Sequence, residues 1–208
     1  MDKKEDLRVI KTKQLIKDCF LELIEEKGYS KVTITDITKK AMINRNTFYL
    51  HYIDKEDLID KIVLDNYKKE EPKIALIIKN HMLSNYHNKE KLQEIIITDI
   101  IDSFLDQIEF YRILLMDPGL TGYLTKLKTK MKDSFKTYII NSIEKKIAFE
   151  FIFEGVFGVI SEWIKRDFTS KDELSKILSD ILYHNWHFAY QDSSVLDLIR
   201  EQNKNNTH

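Results

Sequence analysis

The stretch TITDITKKAMINRNTFYLHY, residues 33–52, carries the pattern of two short helices joined by a tight turn. Thr33 stands three residues before Asp36, which is the spacing of an N-terminal capping box. Asn44 is a good N-cap for the second helix, because its side chain can accept a hydrogen bond from an amide of the first turn. Two helices with about three residues between them are typical of a helix-turn-helix, whose second helix enters the major groove of DNA.

The second helix, predicted at 45–52, presents two different faces. Phe48 and Tyr52 share one stripe, since each residue turns a helix by about 100°. The neighbouring face carries hydrogen-bonding side chains, namely Arg45, Asn46 and Tyr49. Arginine can bridge two acceptors of guanine, asparagine can pair with adenine, and tyrosine can touch a thymine methyl or a phosphate. Any one of these residues alone is ordinary on a solvated helix, but their combination favours DNA binding.

Charge is concentrated in the same part of the chain. Residues 27–55 contain six basic and two acidic side chains, although the whole chain has a net charge of −1. His51, Lys55 and the first amides of the following helix are therefore predicted to hold phosphate groups. A basic patch of this size indicates an anionic partner. A solvated lysine-rich surface explains the charge alone equally well.

The rest of the sequence predicts an all-α chain. Its 208 residues are 43% hydrophobic, which is enough for a sizeable core, and only five glycines and two prolines interrupt it. Pro72 is expected to end the fourth helix and to divide the chain into residues 1–70 and 71–208. The predicted helices lie at about 7–27, 34–41, 45–52, 54–69, 73–86, 90–116 with a break near residue 109, 120–141, 144–167 and 171–189.

The sequence also predicts a cytoplasmic protein. Cys19 is the single cysteine, so no disulfide can form within the chain, and the first residues lack the apolar run of a signal peptide. The apolar stretch at 147–164 contains three glutamates, which is typical of a buried or interface helix rather than a membrane span.

Residues 12–63 resemble the N-terminal DNA-binding domain of the TetR/AcrR family of bacterial transcription regulators. The resemblance implies a recognition helix at 45–52, and its cap Asn44 is counted among the predicted DNA-binding residues. It also implies contacts with bases or backbone from Arg45, Asn46, Thr47 and Tyr49. Phosphate contacts are implied for Thr33, Thr35, His51 and Lys55. Met42 departs from the family pattern, which has glycine or another small residue in the turn, so it either takes an ordinary backbone conformation or bears a modest strain.

Residues 149–182 are similar to the last two core helices of a TetR/AcrR subgroup, which form the dimer interface in that family. The resemblance makes 1–70 a helix-turn-helix DNA-binding domain and 71–208 an effector-binding and dimerisation domain. Glycines at helical spacing also permit close helix approach. The predicted interface residues are Phe151, Gly155, Gly158, Glu162, Leu174, Ile177, Leu178 and Ile181. A core contact within one chain is the alternative for this stripe.

Other constellations give weaker signals. Several large side chains of the middle helices are candidates to line an apolar cavity, although such residues more often form plain core: Tyr111, Met116, Tyr123, Phe135, Tyr138, Phe149 and Phe153. His184 and His187 have a spacing compatible with metal binding, but no third ligand joins them, so neither a metal nor another cofactor is expected. No phosphate-binding glycine loop or nucleophile motif is present, which argues against an enzyme.

Together these patterns predict a dimeric repressor that binds a palindromic double-stranded DNA operator and that a small apolar or amphipathic effector releases, with no membrane partner. One alternative is a related regulator without a small ligand, whose C-terminal domain binds a protein and activates transcription. Another is a helical enzyme or carrier whose N-terminal unit is only a scaffold.

Overall fold

The computed structural model describes residues 7–83, 89–135 and 143–190, and every regular element within them is helical. This confirms the all-α fold class. The helices are α1 Leu7–Lys27, α2 Ile34–Lys40, α3 Arg45–Tyr49, α4 Lys55–Leu83, α5 Lys89–Leu105, α6 Ile108–Met116, α7 Thr121–Phe135, α8 Ile143–Arg166 and α9 Lys171–Tyr190. Two short 3₁₀ turns lie at Tyr29–Lys31 and Pro118–Leu120. In these ranges no helix has the length and apolarity that a bilayer crossing requires.

The chain packs as two compact units, and the first consists of Met1–Lys68 together with Glu109–Thr129. Helices α1 to α3 and the first half of α4 surround a core of fully buried side chains, among them Ile16, Phe20, Ile37, Phe48 and Leu58. Burying each such side chain contributes about 1.5–3 kcal/mol. This core fixes α3 against its neighbours, so the outward side of α3 is a rigid surface.

The turn between α2 and α3 is closed by backbone hydrogen bonds from Met42 N to the carbonyl of Lys39 (3.2 Å) and from Ile43 N to the carbonyl of Thr38 (3.0 Å). Met42 has φ 51°, in the left-handed region, and its side chain is 93% exposed. The sequence left two possibilities for Met42, and the structure shows the strained one. A non-glycine residue in this conformation costs about 1–2 kcal/mol.

Met42→Gly is therefore expected to raise the free energy of unfolding by up to about 1 kcal/mol. The substitution removes the strain and loses little burial, while the greater freedom of glycine in the unfolded chain offsets roughly 0.5–1 kcal/mol of the gain. Leu50 is a matched control, because it is 79% exposed but has φ −68°. Leu50→Gly should lower the stability. Equal destabilisation of both variants in urea denaturation would contradict the strain at Met42.

The second compact unit consists of Lys69–Ile108 and Lys130–His208. Helix α9 packs extensively along α5 and more lightly against α8. The core of this second unit includes, among the described residues, Ile97, Ile101, Phe157 and Ile160. Residues 109–129 pack with the first unit, although the sequence assigns them to the predicted C-terminal domain at 71–208. That predicted boundary divides the chain by function rather than by packing, and it stays a prediction.

The predicted end of the fourth helix at Pro72 was wrong, and so was the separate helix at 73–86. Helix α4 continues through Pro72 to Leu83. Proline inside a helix costs about 3 kcal/mol, since it removes one hydrogen bond and crowds the preceding turn. Side chains on both sides of Pro72 offset that cost by bonding to the end of α5 and to the two residues that link α5 to α6.

Glu70, which is 2% exposed, accepts hydrogen bonds from Ser103 and Gln107. Lys73 pairs with Glu70 and with Asp106, each at 3.1 Å. Hydrogen bonds to charged groups contribute about 1.5–3 kcal/mol each when they are buried. The two hydrogen bonds at Glu70 are together large enough to offset the cost of the proline, so the helix continues through it.

Within the described residues the remaining bounds agree with the sequence to within a few residues, with two differences, while the predicted end of a helix at residue 141 lies outside those residues. Helix α3 ends at Tyr49, so its last predicted turn is not helical, because backbone bonds from His51 N and Tyr52 N to the Phe48 carbonyl close the chain there instead. The predicted break near residue 109 occurs at Asp106–Gln107, between α5 and α6.

Candidate nucleic-acid interface

Helix α3 and the residues just after it carry buried side chains on one face and exposed side chains on the neighbouring face. Phe48 and Tyr52 are 0% and 2% exposed, and their rings lie 5.6 Å apart. The outer face of α3, which we define as Arg45, Asn46 and Tyr49, points to solvent, and Tyr49 is 48% exposed. A buried aromatic anchor thus carries three exposed hydrogen-bonding side chains on one short helix.

The outer face of α3 is ordered by local bonds. Asn44 caps the helix, because its Oδ1 accepts the amide of Asn46 at 2.9 Å. Arg45 Nη2 donates to the hydroxyl of Tyr49 at 3.4 Å. Thr47 is half-buried beside them. Of the predicted DNA-contacting residues, Asn44 therefore uses its side-chain acceptor within the protein, whereas Arg45 and Asn46 present exposed donors.

The start of α2 is fixed by the predicted capping box. The amide of Asp36 donates to Thr33 Oγ1 at 3.2 Å, and Asp36 Oδ2 accepts both the Thr33 amide at 2.9 Å and the Thr33 hydroxyl at 2.6 Å. Lys27 lies 2.6 Å from the same carboxylate. The bond from Lys27, followed by those from Thr33, holds the pKa of Asp36 well below its ordinary value. Thr33 is exposed, and Thr35 is half-buried.

The start of α4 carries the predicted phosphate contacts. Asp54 Oδ1 accepts the amide of Asp57 at 2.7 Å, which caps the helix. Lys55 is half-buried, and its Nζ donates to the carbonyl of Tyr29 at 3.1 Å and lies 4.3 Å from the centre of the Tyr29 ring. His51 is half-buried, and its carbonyl accepts from Lys61 Nζ at 3.2 Å. The structure brings His51 and Lys55 to the end of α3 and the start of α4.

The sequence missed the role of Tyr29, which is 8% exposed and connects four parts of the first unit. Its amide donates to Asp117 Oδ2 at 2.6 Å, and its hydroxyl lies 3.2 Å from Glu56 Oε1 and 3.3 Å from the Tyr123 hydroxyl. Burial, and then the hydrogen bond with Tyr123, raise the pKa of Tyr29 well above its ordinary value. The hydroxyl therefore stays protonated and can donate to Glu56. No local pattern in the sequence indicated that Asp117 would contact Tyr29.

The predicted dimer residues fall into two groups. Those at the surface are Phe151 (72% exposed), Gly155, Gly158, Glu162, Ile177 and Ile181. Glu162 pairs with Lys165 at 2.9 Å and Arg166 at 3.0 Å. Leu174 and Leu178 are buried in the core of their own protomer, because that side of α9 packs toward α5. They correspond to the core alternative and add no surface for a partner, while the interface itself stays a prediction.

Two exposed residues that the sequence did not single out extend this surface. Ile143 and Ile147 are 66% and 63% exposed and precede Phe151 on α8 at four-residue spacing. They lie on the same face of the helix as Phe151. An isoleucine or phenylalanine at each of three successive turns forms an apolar stripe of a kind that marks interaction surfaces.

The candidate cavity residues do not form one group. Tyr111 is buried, Met116 is 60% exposed, and Tyr123 belongs to the Tyr29 cluster. Phe149 and Phe153 are half-buried with ring centres 5.7 Å apart. The side chains of Phe135 and Tyr138, and those of His184 and His187, lie outside what the structure describes. Among the residues that it does describe, no three potential ligands gather around a metal position.

Comparison with known families gives two matches. The model of the bacterial regulatory proteins of the tetR family matches residues 21–62, and that of a transcriptional regulator C-terminal region matches residues 90–184. The first match spans the helix-turn-helix and the outer face of α3. Together the two matches cover most of the described chain.

Known proteins resemble the chain in sequence or in fold. YxbF, an uncharacterized HTH-type transcriptional regulator of Bacillus subtilis (strain 168), is 41% identical over 63 residues, which are 30% of this chain and 17% of that protein. A TetR-family transcriptional regulator from Syntrophomonas wolfei has a similar fold, with a TM-score of 0.65, 17% identity, and coverage of 88% of this chain and 97% of the other. FadR from Bacillus subtilis, solved in complex with stearoyl-CoA, has a TM-score of 0.55 and 15% identity, with coverage of 81% of this chain and 96% of the other.

Proposed function

This chain belongs to the tetR family of bacterial regulatory proteins and is a DNA-binding transcription regulator, and we propose that it is a dimeric repressor of a palindromic operator, released by a small effector. The observation that carries the proposal is the outer face of α3, where Arg45, Asn46 and Tyr49 are exposed on a helix anchored by buried Phe48. It acts in the cytoplasm, where such an operator is accessible.

The proposed division of labour on DNA follows from the chemistry of the side chains. Arg45 and Asn46 read base edges in the major groove, since arginine and asparagine form bidentate pairs with guanine and adenine. Thr47 and Tyr49 contact a thymine methyl or the backbone. Phosphate contacts come from Thr33, Thr35, His51 and Lys55, and they fix the register of the helix without reading sequence.

Dimerisation through the exposed side of α8 and α9 supports palindrome recognition. Phe151, Ile177 and Ile181 expose apolar surface, and Gly155 and Gly158 leave room for a partner helix to approach. Two recognition helices must lie about 34–36 Å apart to enter successive major grooves of one face of DNA. A two-fold interface relates two identical outer faces of α3 by symmetry, so a dimer that holds them at this separation reads a palindromic operator.

The proposal is tested by selecting DNA with the purified chain. A pool of random duplexes is incubated with the protein at moderate salt, and the retained fragments are sequenced. Enrichment of a palindrome whose half-site centres are separated by about 10–10.5 base pairs, or a multiple of that spacing, is expected. Retention that shows no sequence preference, or no retention at any salt concentration, would contradict operator binding.

We propose a small apolar or amphipathic effector that binds in the C-terminal domain. Helix α4 is continuous from Lys55, at the proposed phosphate contacts, to Leu83. A ligand that shifts the second half of α4 would therefore displace its first half. The solved complex of FadR with stearoyl-CoA shares the fold, so the fold can accommodate a ligand of this general kind. A purified chain that retains no small molecule and responds to none would favour a protein partner instead.

The effector and the operator are expected to weaken each other's binding by equal factors. This reciprocity follows from thermodynamic linkage, because a ligand shifts an equilibrium only by its differential affinity for the two states. Native mass spectrometry of the purified protein identifies a bound molecule, and calorimetry then measures its affinity with and without operator DNA. A ligand whose affinity is the same in both titrations would not be the releasing effector.

A further inference from the structure

We propose that Asp117 is a positioning residue for DNA binding, because its carboxylate fixes the segment of Tyr29 whose carbonyl holds the ammonium of Lys55 at the phosphate backbone. The inference rests on the proposed phosphate contact of Lys55. It assigns a role in DNA affinity to a residue that is 88 positions away from Tyr29 in sequence and outside the helix-turn-helix.

Both oxygens of Asp117 are used in this arrangement. Oδ2 accepts the amide of Tyr29 at 2.6 Å, and Oδ1 accepts the amide of Gly119 at 2.7 Å. Hydrogen bonds to an ionised acceptor are roughly twice as strong as neutral ones. The carboxylate thus joins the 3₁₀ turn at Pro118–Leu120 to the 3₁₀ turn at Tyr29–Lys31, and each turn holds the other.

The two turns approach so closely that a side chain at position 119 would not fit without displacement. A Cβ atom on Gly119 would lie 3.0 Å from Asp117 Oδ1, 3.1 Å from Ser30 Oγ and 3.1 Å from Tyr29 Cδ1. These separations are shorter than ordinary van der Waals contacts. A side chain at this position would therefore push Asp117, Ser30 or Tyr29 aside and disturb the bond between Asp117 and the Tyr29 amide.

The effect reaches Lys55 through the carbonyl and ring of Tyr29. The Lys55 Nζ donates to that carbonyl at 3.1 Å and lies over the ring. The Tyr29 ring is buried and cannot turn away. It contacts the rings of Phe20 and Tyr123 edge-on, with distances between ring centres of 6.2 and 5.9 Å. An ammonium has three donors, so the bond to Tyr29 leaves others for phosphate oxygens.

Holding Lys55 in advance lowers the cost of binding DNA. A free lysine side chain loses rotamer entropy when it is fixed, and a side chain that the protein already orders loses less on association. Asp117 is expected to influence DNA affinity only through Lys55. A residue that merely stabilised the fold would influence binding whether or not Lys55 were present.

A double-mutant cycle tests the inference. Affinity for a mixed-sequence DNA duplex is measured as a function of salt for the full chain, Asp117→Asn, Lys55→Ala and the double variant. Lys55→Ala should lower the magnitude of the log–log salt slope by roughly 0.9 for the one lost phosphate contact in each binding site. Asp117→Asn should weaken binding and lower the slope by less, because one amide oxygen cannot replace two carboxylate oxygens. The double variant should match Lys55→Ala.

A matched control separates the role of Asp117 from its charge. Asp65 is also an aspartate of the first unit, and it forms an ion pair with Lys17 of α1. Asp65→Asn removes the same negative charge and should leave affinity and slope near those of the unchanged protein. Gly119→Ala, which crowds the same contact, should reproduce the effect of Asp117→Asn. Circular dichroism verifies that each variant is folded.

The outcomes distinguish this inference from the function on which it rests. An unchanged slope in Lys55→Ala would remove the phosphate contact itself, and this inference would fail with it. A lower slope in Lys55→Ala with no change in Asp117→Asn would overturn the positioning role alone. Asp117→Asn that weakens binding equally with and without Lys55 would show a purely structural role. If Asp117→Asn does not fold, Gly119→Ala in the same cycle decides among these results.

Discussion

Gly155→Leu is expected to separate the protomers and to remove binding to a palindromic operator. Within its own protomer, a Cβ atom on Gly155 meets no atom within 4 Å, so a larger side chain has room there. Leucine also has a higher helix propensity than glycine by roughly 1 kcal/mol. The substitution should therefore leave the protomer folded and act only where a partner helix approaches.

Separation of the protomers should weaken DNA binding strongly, because each protomer then binds with one recognition helix instead of two. A single outer face of α3 reads one half-site, and its affinity falls toward that of non-specific binding. Specific sites are typically bound about 10³–10⁷ times more tightly than non-specific DNA. Most of that ratio depends on both half-sites being read together, so dimer loss and operator loss should occur in the same variant.

Sedimentation velocity measures the oligomeric state, and operator titration measures the affinity. Gly122 offers a matched control, since it is also helical and a Cβ atom there also meets nothing within 4 Å, but it lies on α7. Gly122→Leu should sediment as a dimer and bind the operator normally. Gly155→Leu that remains a dimer with full operator affinity would place the interface elsewhere.

Local patterns explain why much of the fold was predictable from sequence. The capping box of Thr33 and Asp36 and the cap at Asn44 depend on residues two or three positions apart, and both form as expected. The separation of buried from exposed side chains at 45–52 was predicted from helical periodicity, and Phe48 and Tyr52 are both in the core although the helix itself ends at Tyr49. A DNA-binding unit was predicted from these residues, and the family from the resemblance of residues 12–63.

The errors arise where distant residues decide the outcome. Local rules end a helix at Pro72, but Glu70 is held by Ser103 of α5 and Lys73 by Asp106 just after it, each more than 30 positions away. The apolar pattern of α9 does not say which side meets α5, and only the fold assigns Leu174 and Leu178 to the core. The contact of Tyr29 with Asp117 has no local signal either.

Arg45→Ala is expected to weaken specific operator binding by roughly 1–3 kcal/mol and to relax the preference at one base pair of each half-site. Arg45 is exposed at the start of α3, where its guanidinium donates to the Tyr49 hydroxyl at only 3.4 Å. That bond is long, so little stability depends on it. The protein should stay folded, and the lost energy should be that of the bidentate contact with a base.

Removing a cation weakens binding whether it contacts a base or a phosphate, so a loss of affinity alone does not distinguish the two. A change in sequence preference does, because only a base contact carries it. Binding is measured for the operator and for all its single-base variants at one salt concentration, with Arg112→Ala as the control. Arg112 is also an arginine and is 46% exposed, but it pairs with Glu109 on α6. Arg45→Ala should accept several bases at one position that the unchanged protein and Arg112→Ala restrict. A uniform loss over every sequence would instead assign Arg45 to the phosphate backbone, and the reading of bases would then depend on Asn46 and Tyr49.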